Sequence, residues 1–459
     1  MDIQDFIKTY CVREIESGCY DIKINDLSIY NFIRSAVRYS YSTQMGFPSM
    51  EVVGTIKKTE RIKNILISFF QILWLILKNK KYNTFIYSFN RVDKVGDFFV
   101  DKFTDPLIDF SYIKDSYIIF EGGRKGRHFK PRLHHNKIIY TNAINKLCRI
   151  YSNFKKQAFF KKYQAEIEEL FRRIKIAFPE YEINESYLLT ELFCKINEAK
   201  FYKFLFKRLH IQSFLAPNRY DFNHIIPYAK QCGIHVFELQ HGISVGESHL
   251  YSGYRDKMFT PDGFLAYGEM SLTERYGIDI NRIKVIGWAF DNYLSTIISN
   301  QKNVNGQDVL VISEAPVTEK MIATCKDLAE TYTNINFYFR PHPNELLSEE
   351  QKNLLTQYPN IHIDDNSQNI LVTLHQFKHI IGENSTVLYE ALSYGKKVGR
   401  LYMNGLAPKD LDEEDSAYFW RIEDADSFKE FIDASPEAKK QRKIYSKFDR
   451  NLFEDLISS

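Results

Sequence analysis

Residues 377–392 read Phe377-Lys378-His379-Ile380-Ile381-Gly382-Glu383-Asn384-Ser385-Thr386-Val387-Leu388-Tyr389-Glu390-Ala391-Leu392. The first five form a short run ending in two β-branched residues, as a buried strand does. Gly382 permits a tight turn. From Thr386 onward the apolar Val387, Leu388, Ala391 and Leu392 recur at helical spacing. The stretch therefore predicts strand, turn and helix, with Ser385 or Thr386 at the helix N-cap. Such units assemble into parallel sheets covered by helices, whose ligands bind at the carboxyl ends of the strands.

The same pattern extends along the chain in both directions. Strand-like runs occur at Thr84–Phe89, Tyr117–Phe120, Ser213–Ala216, His235–Leu239 and Gly263–Tyr267. A second series follows at Lys284–Ile286, Val309–Ile312, Asn336–Phe339, Ile361–Ile363, His379–Ile381 and Lys397–Leu401. Helical patterns separate them, for example Glu319–Thr331 and Thr386–Tyr394. A chain of 459 residues exceeds one compact core. We expect an α/β protein of two doubly wound, Rossmann-like domains facing across a cleft. The expected boundaries are 1–286, with a helical N-terminal segment, and 287–459, with a C-terminal helix.

Polar clusters stand at three predicted strand ends. In Arg340-Pro341-His342-Pro343, two prolines lock the backbone after a strand and hold His342 rigidly. That histidine can hydrogen-bond a phosphate oxygen or protonate a leaving phosphate, and Arg340 adds fixed positive charge. The Glu383-Asn384-Ser385-Thr386 turn lies 43 residues beyond His342, counted to Ser385, and a helix N-terminus there suits an anion. Glu390, one turn into that helix, is placed to reach ribose hydroxyls. The third cluster, Glu238-Leu239-Gln240-His241-Gly242, presents His241 from the first series. His241 is a candidate base or positioning group, with Gln240, Gly242, Glu247, His249 and Tyr251 as candidate acceptor-binding residues.

Net charge is only +3, so bulk charge gives no support to nucleic-acid binding. The six cysteines are scattered without a CxxC pair, which argues against a zinc site or a disulfide framework. Asp410-Leu411-Asp412 sits in an acidic loop rather than after a strand, and we expect no metal. The polar start Met1-Asp2-Ile3-Gln4-Asp5 lacks an apolar signal region, which predicts a cytoplasmic protein. The apolar run Ile65–Leu77 would span only about 20 Å as a helix, too short to cross a bilayer. A core helix is the expected reading. The alternative is a helix lying at a membrane surface, with Trp74 and the flanking lysines among headgroups.

A strand ending in Gln240-His241-Gly242, then the His342-Pro343 motif, then Ser385-Thr386 leading a helix, resembles a group of surface-polysaccharide transferases. These are bacterial sialyltransferases and polysialyltransferases, capsular Kdo transferases and CDP-glycerol glycerophosphotransferases. The likeness covers roughly Gly233 to Met403. It implies a GT-B fold and transfer of a sugar from a nucleotide-sugar donor to a surface polysaccharide or glycolipid acceptor, inverting and metal-independent. No cofactor is implied, because the nucleotide-sugar is a substrate. His342, Ser385 and Thr386 would bind the donor phosphate, with Arg340, Pro343, Glu383, Asn384 and Glu390 around them. Sialyltransferases of this group carry paired acids before a glycine. Here Glu121-Gly122-Gly123 offers one acid, so the base stays open between Glu121 and His241. The basic run Arg124–Arg132 would meet an anionic acceptor or be a solvated loop. Polyol-phosphate transfer, nucleotide-sugar epimerisation and a non-catalytic scaffold are the alternative readings.

Overall fold

A computed structural model of the chain describes residues 3–46, 56–78, 80–88, 90–111, 113, 116–123, 127–242, 251–298, 306–343, 345–408, 415–435, 439–440 and 444–458. Two small antiparallel hairpins, β1 (Lys23–Ile24) with β2 (Leu27–Ser28) and β4 (Val92–Val95) with β5 (Phe98–Asp101), flank β3 (Thr84–Ser88) along the chain. The other strands of the first half are β6 (Tyr117–Glu121), β7 (Ile138–Tyr140), β8 (Ser213–Pro217), β9 (His235–Leu239), β10 (Gly263–Ala266) and β11 (Ile283–Val285). The second half holds β12 (Val309–Ile312), β13 (Phe337–Arg340), β14 (Ile361–Ile363), β15 (His379–Gly382), β16 (Lys397–Leu401) and β17 (Trp420–Ile422).

The larger strands form two sheets, parallel throughout. The first has the order β11-β10-β9-β8-β3-β6-β7, the second β14-β13-β12-β15-β16-β17. In each, the chain starts at a central strand, works outward, then returns to the other side of that strand. The reversals lie between β3 and β8 and between β12 and β15. Every residue of β3, β6, β8, β12, β15 and β16 is buried, as a sheet covered on both faces requires. The architecture is the α/β pair of doubly wound parallel sheets that the strand series predicts.

The sheets share a core. Val100, Phe103, Tyr267 and Trp288 from the first half pack in one cluster with Leu310, Leu371, Ile380 and Leu388 from the second. The end of the chain also returns to the first sheet. Ser446 N–H donates to Tyr267 O at 2.7 Å, Trp288 N–H to Ser446 O at 3.0 Å, and Asp449 N–H to Ile286 O at 2.7 Å. The passage is so close that a Cβ on Gly287 (φ +76°) would stand 2.2 Å from Lys447 O. The helix Arg450–Ser458 then buries Phe453 and Ile457 against Ile86, Leu215, Phe237 and Leu239.

The helix Lys58–Lys78 meets the core-helix expectation on one face, where Ile72 and Leu75 join the core, and departs from it on the other. Asn64, Ser68, Ile72 and Leu75 face inward, whereas Ile62, Leu66, Phe69, Phe70, Leu73, Trp74 and Leu77 are exposed. The cause is the bonding of its polar side. Gln71 Nε2 donates to Ile138 O at 3.1 Å and Tyr140 N–H donates to Gln71 Oε1 at 3.0 Å, so Gln71 satisfies the free edge of β7. Ser68 Oγ donates to Tyr140 O and accepts from Ala143 N–H at 3.0 Å.

Candidate functional site

The carboxyl end of the second sheet gathers residues from three neighbouring strands around its reversal point. After β15, Ser385 caps the helix Thr386–Ser393 with its hydroxyl accepting from Val387 N–H at 3.4 Å. The turn is held from beneath. Asn384 N–H donates at 3.0 Å to Glu314, which follows β12, and Glu383 Oε1 accepts from Ala407 N–H at 3.0 Å. Asn384 and Ser385 are half-buried and Thr386 is exposed, so the first helical turn opens outward. Glu383 is buried and serves as an anchor to the loop after β16.

On the other side of β12, Glu345 fixes the loop that carries His342. Its Oε2 accepts from His342 N–H at 2.8 Å, and its Oε1 accepts from Ser313 Oγ at 2.8 Å and Thr318 Oγ1 at 2.7 Å. His342 is half-buried, and partial desolvation holds its pKa below the usual histidine value despite the pull of Glu345. Pro343 is exposed beside it. A path of hydrogen bonds and adjacent residues thus joins the two motifs, from His342 through Glu345, Ser313 and Glu314 to Asn384. The sequence reading missed Ser313, Glu314 and Glu345. The signal available was a Ser-Glu pair directly after the predicted strand Val309–Ile312, at an exit equivalent to the other two. Glu314 has a raised pKa, first from burial and then from the nearby Glu383 and Glu345 carboxylates.

Arg340 does not offer its charge to this opening. Its guanidinium donates to Asp364 Oδ2 at 2.9 Å, Thr373 Oγ1 at 2.8 Å and Gln368 O at 2.7 Å, and the residue is buried. A guanidinium with those partners fastens the exits of β13 and β14 together, which corrects its reading as a phosphate ligand. Glu390 points toward the first half of the molecule. Burial pushes its pKa up to about 7 against the lowering pull of Lys102, and Tyr445 Oη donates to it at 3.1 Å.

Among the described residues, buried and mutually bonded groups occupy the corresponding edge of the first sheet. Glu121, at the end of β6, is fully buried, ion-paired with Arg132 and 2.7 Å from His128 Nδ1. Arg132 also reaches Asp105 at 3.2 Å, while Asp101 accepts from Ser88 Oγ at 2.5 Å. Burial raises Asp101, and it pushes Asp105 up to about 6 even with Arg132 beside it. In this setting Glu121 belongs to a buried ionic knot and does not meet an acceptor hydroxyl, contrary to its reading as a base. Gln240 is likewise committed: its Oε1 accepts from Tyr267 N–H at 2.7 Å and Ser271 Oγ at 3.0 Å, and its Nε2 donates to Gly242 O at 2.9 Å. It ties β9 to β10 rather than binding an acceptor.

His241 is buried beside Phe103 and Tyr251. Burial, reinforced by the charge of Arg91, pulls its pKa down to about 3, so the ring is neutral throughout the physiological range. Tyr251 Oη accepts from His241 N–H at 3.1 Å and lies 2.9 Å from Nδ1. Either group can donate in that contact, according to the tautomer of the ring. A ring whose pKa burial holds this low is a weak proton acceptor. Glu247 and His249 lie outside the described residues, as do Arg124, Lys125 and the Asp410-Leu411-Asp412 triplet. Among the described residues no group of His, Cys, Asp and Glu is arranged to hold a metal ion.

No protein-family model matches the chain, and no curated protein matches it. Solved structures do. UDP-GlcNAc 2-epimerase from Methanocaldococcus jannaschii superposes over 82% of this chain and 100% of its own, at 10% identity and a TM-score of 0.47. The Neisseria meningitidis UDP-GlcNAc 2-epimerase bound to UDP-GlcNAc gives 82% and 99%, at 12% identity and 0.47. A glycosyltransferase from Rickettsia africae gives 82% and 96%, at 14% identity and 0.43. Likeness at this level is one of architecture, and it assigns neither substrate nor reaction to this chain.

Proposed function

We propose that this chain is a nucleotide-sugar-dependent glycosyltransferase whose donor site is the carboxyl edge of the second sheet. One observation carries the reading. His342 and the Asn384–Thr386 turn flank the same central strand, are fastened to each other through Glu345, Ser313 and Glu314, and are the motif residues left open at that edge. A half-exposed imidazole beside a capped helix N-terminus offers hydrogen-bond donors to a phosphate leaving group. Glu390, one turn along the helix, is the candidate for ribose hydroxyls.

On this reading the acceptor is a surface glycan or lipid-linked glycan met on the cytoplasmic side, and transfer is inverting without a metal. His241 hydrogen-bonds an oxygen of donor or acceptor. Glu121 and Gln240 support the first sheet. Nucleotide discrimination tests the proposal directly. A thermal-shift panel of CMP, CDP, UDP, GDP and their sugars should single out one base, since a ligand at tenfold its dissociation constant stabilises by about 1.4 kcal/mol. A shift from no member of the panel would refute the transferase. Turnover of a bound nucleotide-sugar without acceptor would instead indicate an epimerase, and transfer from CDP-glycerol a polyol-phosphate transferase.

A further inference from the structure

The helix Lys58–Lys78 displays large apolar side chains at the surface while Asn64, Ser68, Ile72 and Leu75 face inward. The exposed residues Ile62, Leu66, Phe69, Phe70, Leu73 and Leu77 recur at helical spacing, and Phe70 is 63% and Leu77 72% exposed. This orientation is pinned, because Ser68 and Gln71 complete the hydrogen bonding of β7 and of the next helix. Its packing neighbour, the helix Asn142–Lys162, repeats the pattern with Leu147, Ile150, Tyr151 and Phe154 exposed, Phe154 at 82%. Two adjacent helices of a folded protein thus leave large apolar side chains in water. Exposed apolar side chains in such number on two packed helices mark an interaction site.

The charge on the same two helices selects the occupant. They carry Lys58, Arg61, Lys63, Lys78, Lys146, Arg149, Lys155, Lys156, Lys161 and Lys162, with Glu60 as their one acid. Lys78 lies over the Trp74 ring at 4.2 Å, an aromatic–cation pair of the sort that sits at headgroup depth. Apolar side chains flanked by a nearly uniform set of cations match a surface with hydrocarbon beneath negative headgroups. No described helix is long and apolar enough to cross a membrane. We propose that these two helices form a docking face for an anionic lipid bilayer, lying in its interface. Beside Ile67 and Gln71 the face borders a cavity of about 540 Å³ that also reaches Lys130, Arg132 and His135. The inference does not depend on the transferase reading.

Flotation of the full chain with vesicles tests it. The wild type should float with vesicles containing phosphatidylglycerol and stay behind with pure phosphatidylcholine or at high salt. Leu66→Gln with Phe70→Gln and Phe154→Gln should abolish flotation while circular dichroism stays unchanged, since all three side chains are exposed. If that variant does not fold, Lys146→Glu with Lys155→Glu decides, and should lower vesicle affinity more than about tenfold. A wild type that ignores anionic vesicles would overturn the proposal, as would variants that float normally. So would a lipid-free dimer that the apolar substitutions convert to monomer, because a second copy of the chain would then be the occupant.

Discussion

The two sheets end in opposite ways. At the first, the reversal point is sealed. Arg219, just beyond β8, donates its N–H to Glu238 at 2.8 Å and its guanidinium to Tyr251 O at 2.5 Å and Gly277 O at 2.9 Å. Asn90, just beyond β3, is tied to Gly122 O and Arg127 O at 3.1 Å each. At the second, the acids Glu314, Glu345 and Glu383 hold the loops from below and leave His342, Ser385 and Thr386 facing out. The same sequence signature, a polar cluster after an apolar run, therefore has two physical outcomes. It can fasten neighbouring strand exits, or it can line an opening. Burial distinguishes them: at the closed edge Glu121, Arg132, Arg219 and Gln240 are buried and bonded within the protein.

The strongest way to break this contrast is to attack the sealed edge. Arg132→Met leaves Glu121, Asp105 and Asp101 buried without their guanidinium, and should cost roughly 3–5 kcal/mol of stability by denaturant titration. Glu121→Gln should lower stability in the same experiment. If Glu121→Gln instead keeps wild-type stability and abolishes transfer, Glu121 faces substrate and the edge is not closed.

At the open edge the expected loss is in chemistry, not in folding. His342→Ala should reduce turnover by roughly 100-fold with its unfolding midpoint near that of wild type. Glu345→Gln should act through His342, because the carboxylate accepts from His342 N–H while also holding Ser313 and Thr318. Its effect should fall on turnover and donor KM together. Wild-type turnover in His342→Ala would remove the main support for placing the donor here.

How far the sequence reaches follows the same division. The bounds of β9, β12, β14 and β16 coincide with those expected. β7 and β17, three residues each at a sheet edge, escaped notice. The N-cap at Ser385 was legible from local chemistry alone. The fates of Arg340, Glu121 and Gln240 were not, since their partners Asp364, Arg132 and Tyr267 come from other elements. Helix Lys58–Lys78 shows a further limit. An apolar composition says nothing of which face turns inward, although Asn64, Ser68 and Gln71, at helical spacing, were the available hint of an inward polar stripe.

A subtler test concerns His241. Tyr251→Phe removes the hydroxyl that accepts from His241 N–H and faces Nδ1, and so frees the ring to reorient. We expect about a tenfold loss of transfer, the scale of one misaligned hydrogen bond of about 1.4 kcal/mol. Because burial holds the histidine near 3, the wild-type activity profile should show no step near pH 6.5 from this group. A step there that disappears in His241→Asn would show His241 to be accessible and titrating, and the first edge to be more open than described.

The smallest effect belongs to Glu390, whose carboxylate accepts from Tyr445 Oη. Its folded-state pKa of about 7 lies above the ordinary carboxylate value because burial disfavours the charge. The folded state therefore binds the extra proton. The stability it contributes is fully present below the ordinary value near 4.5 and is lost as pH rises through about 7. Glu390→Gln mimics the protonated form and keeps an acceptor for Tyr445 Oη. It should melt together with the wild type at pH 4.5 and a few degrees above it at pH 8. Nucleotide binding adds the functional side of the same experiment. A ribose hydroxyl donates to a carboxylate more strongly than to a neutral acid, so wild-type affinity should rise through pH 7 while that of Glu390→Gln stays flat. Flat affinity in both proteins would leave Glu390 a bridge to Tyr445 alone and move the ribose away from this helix.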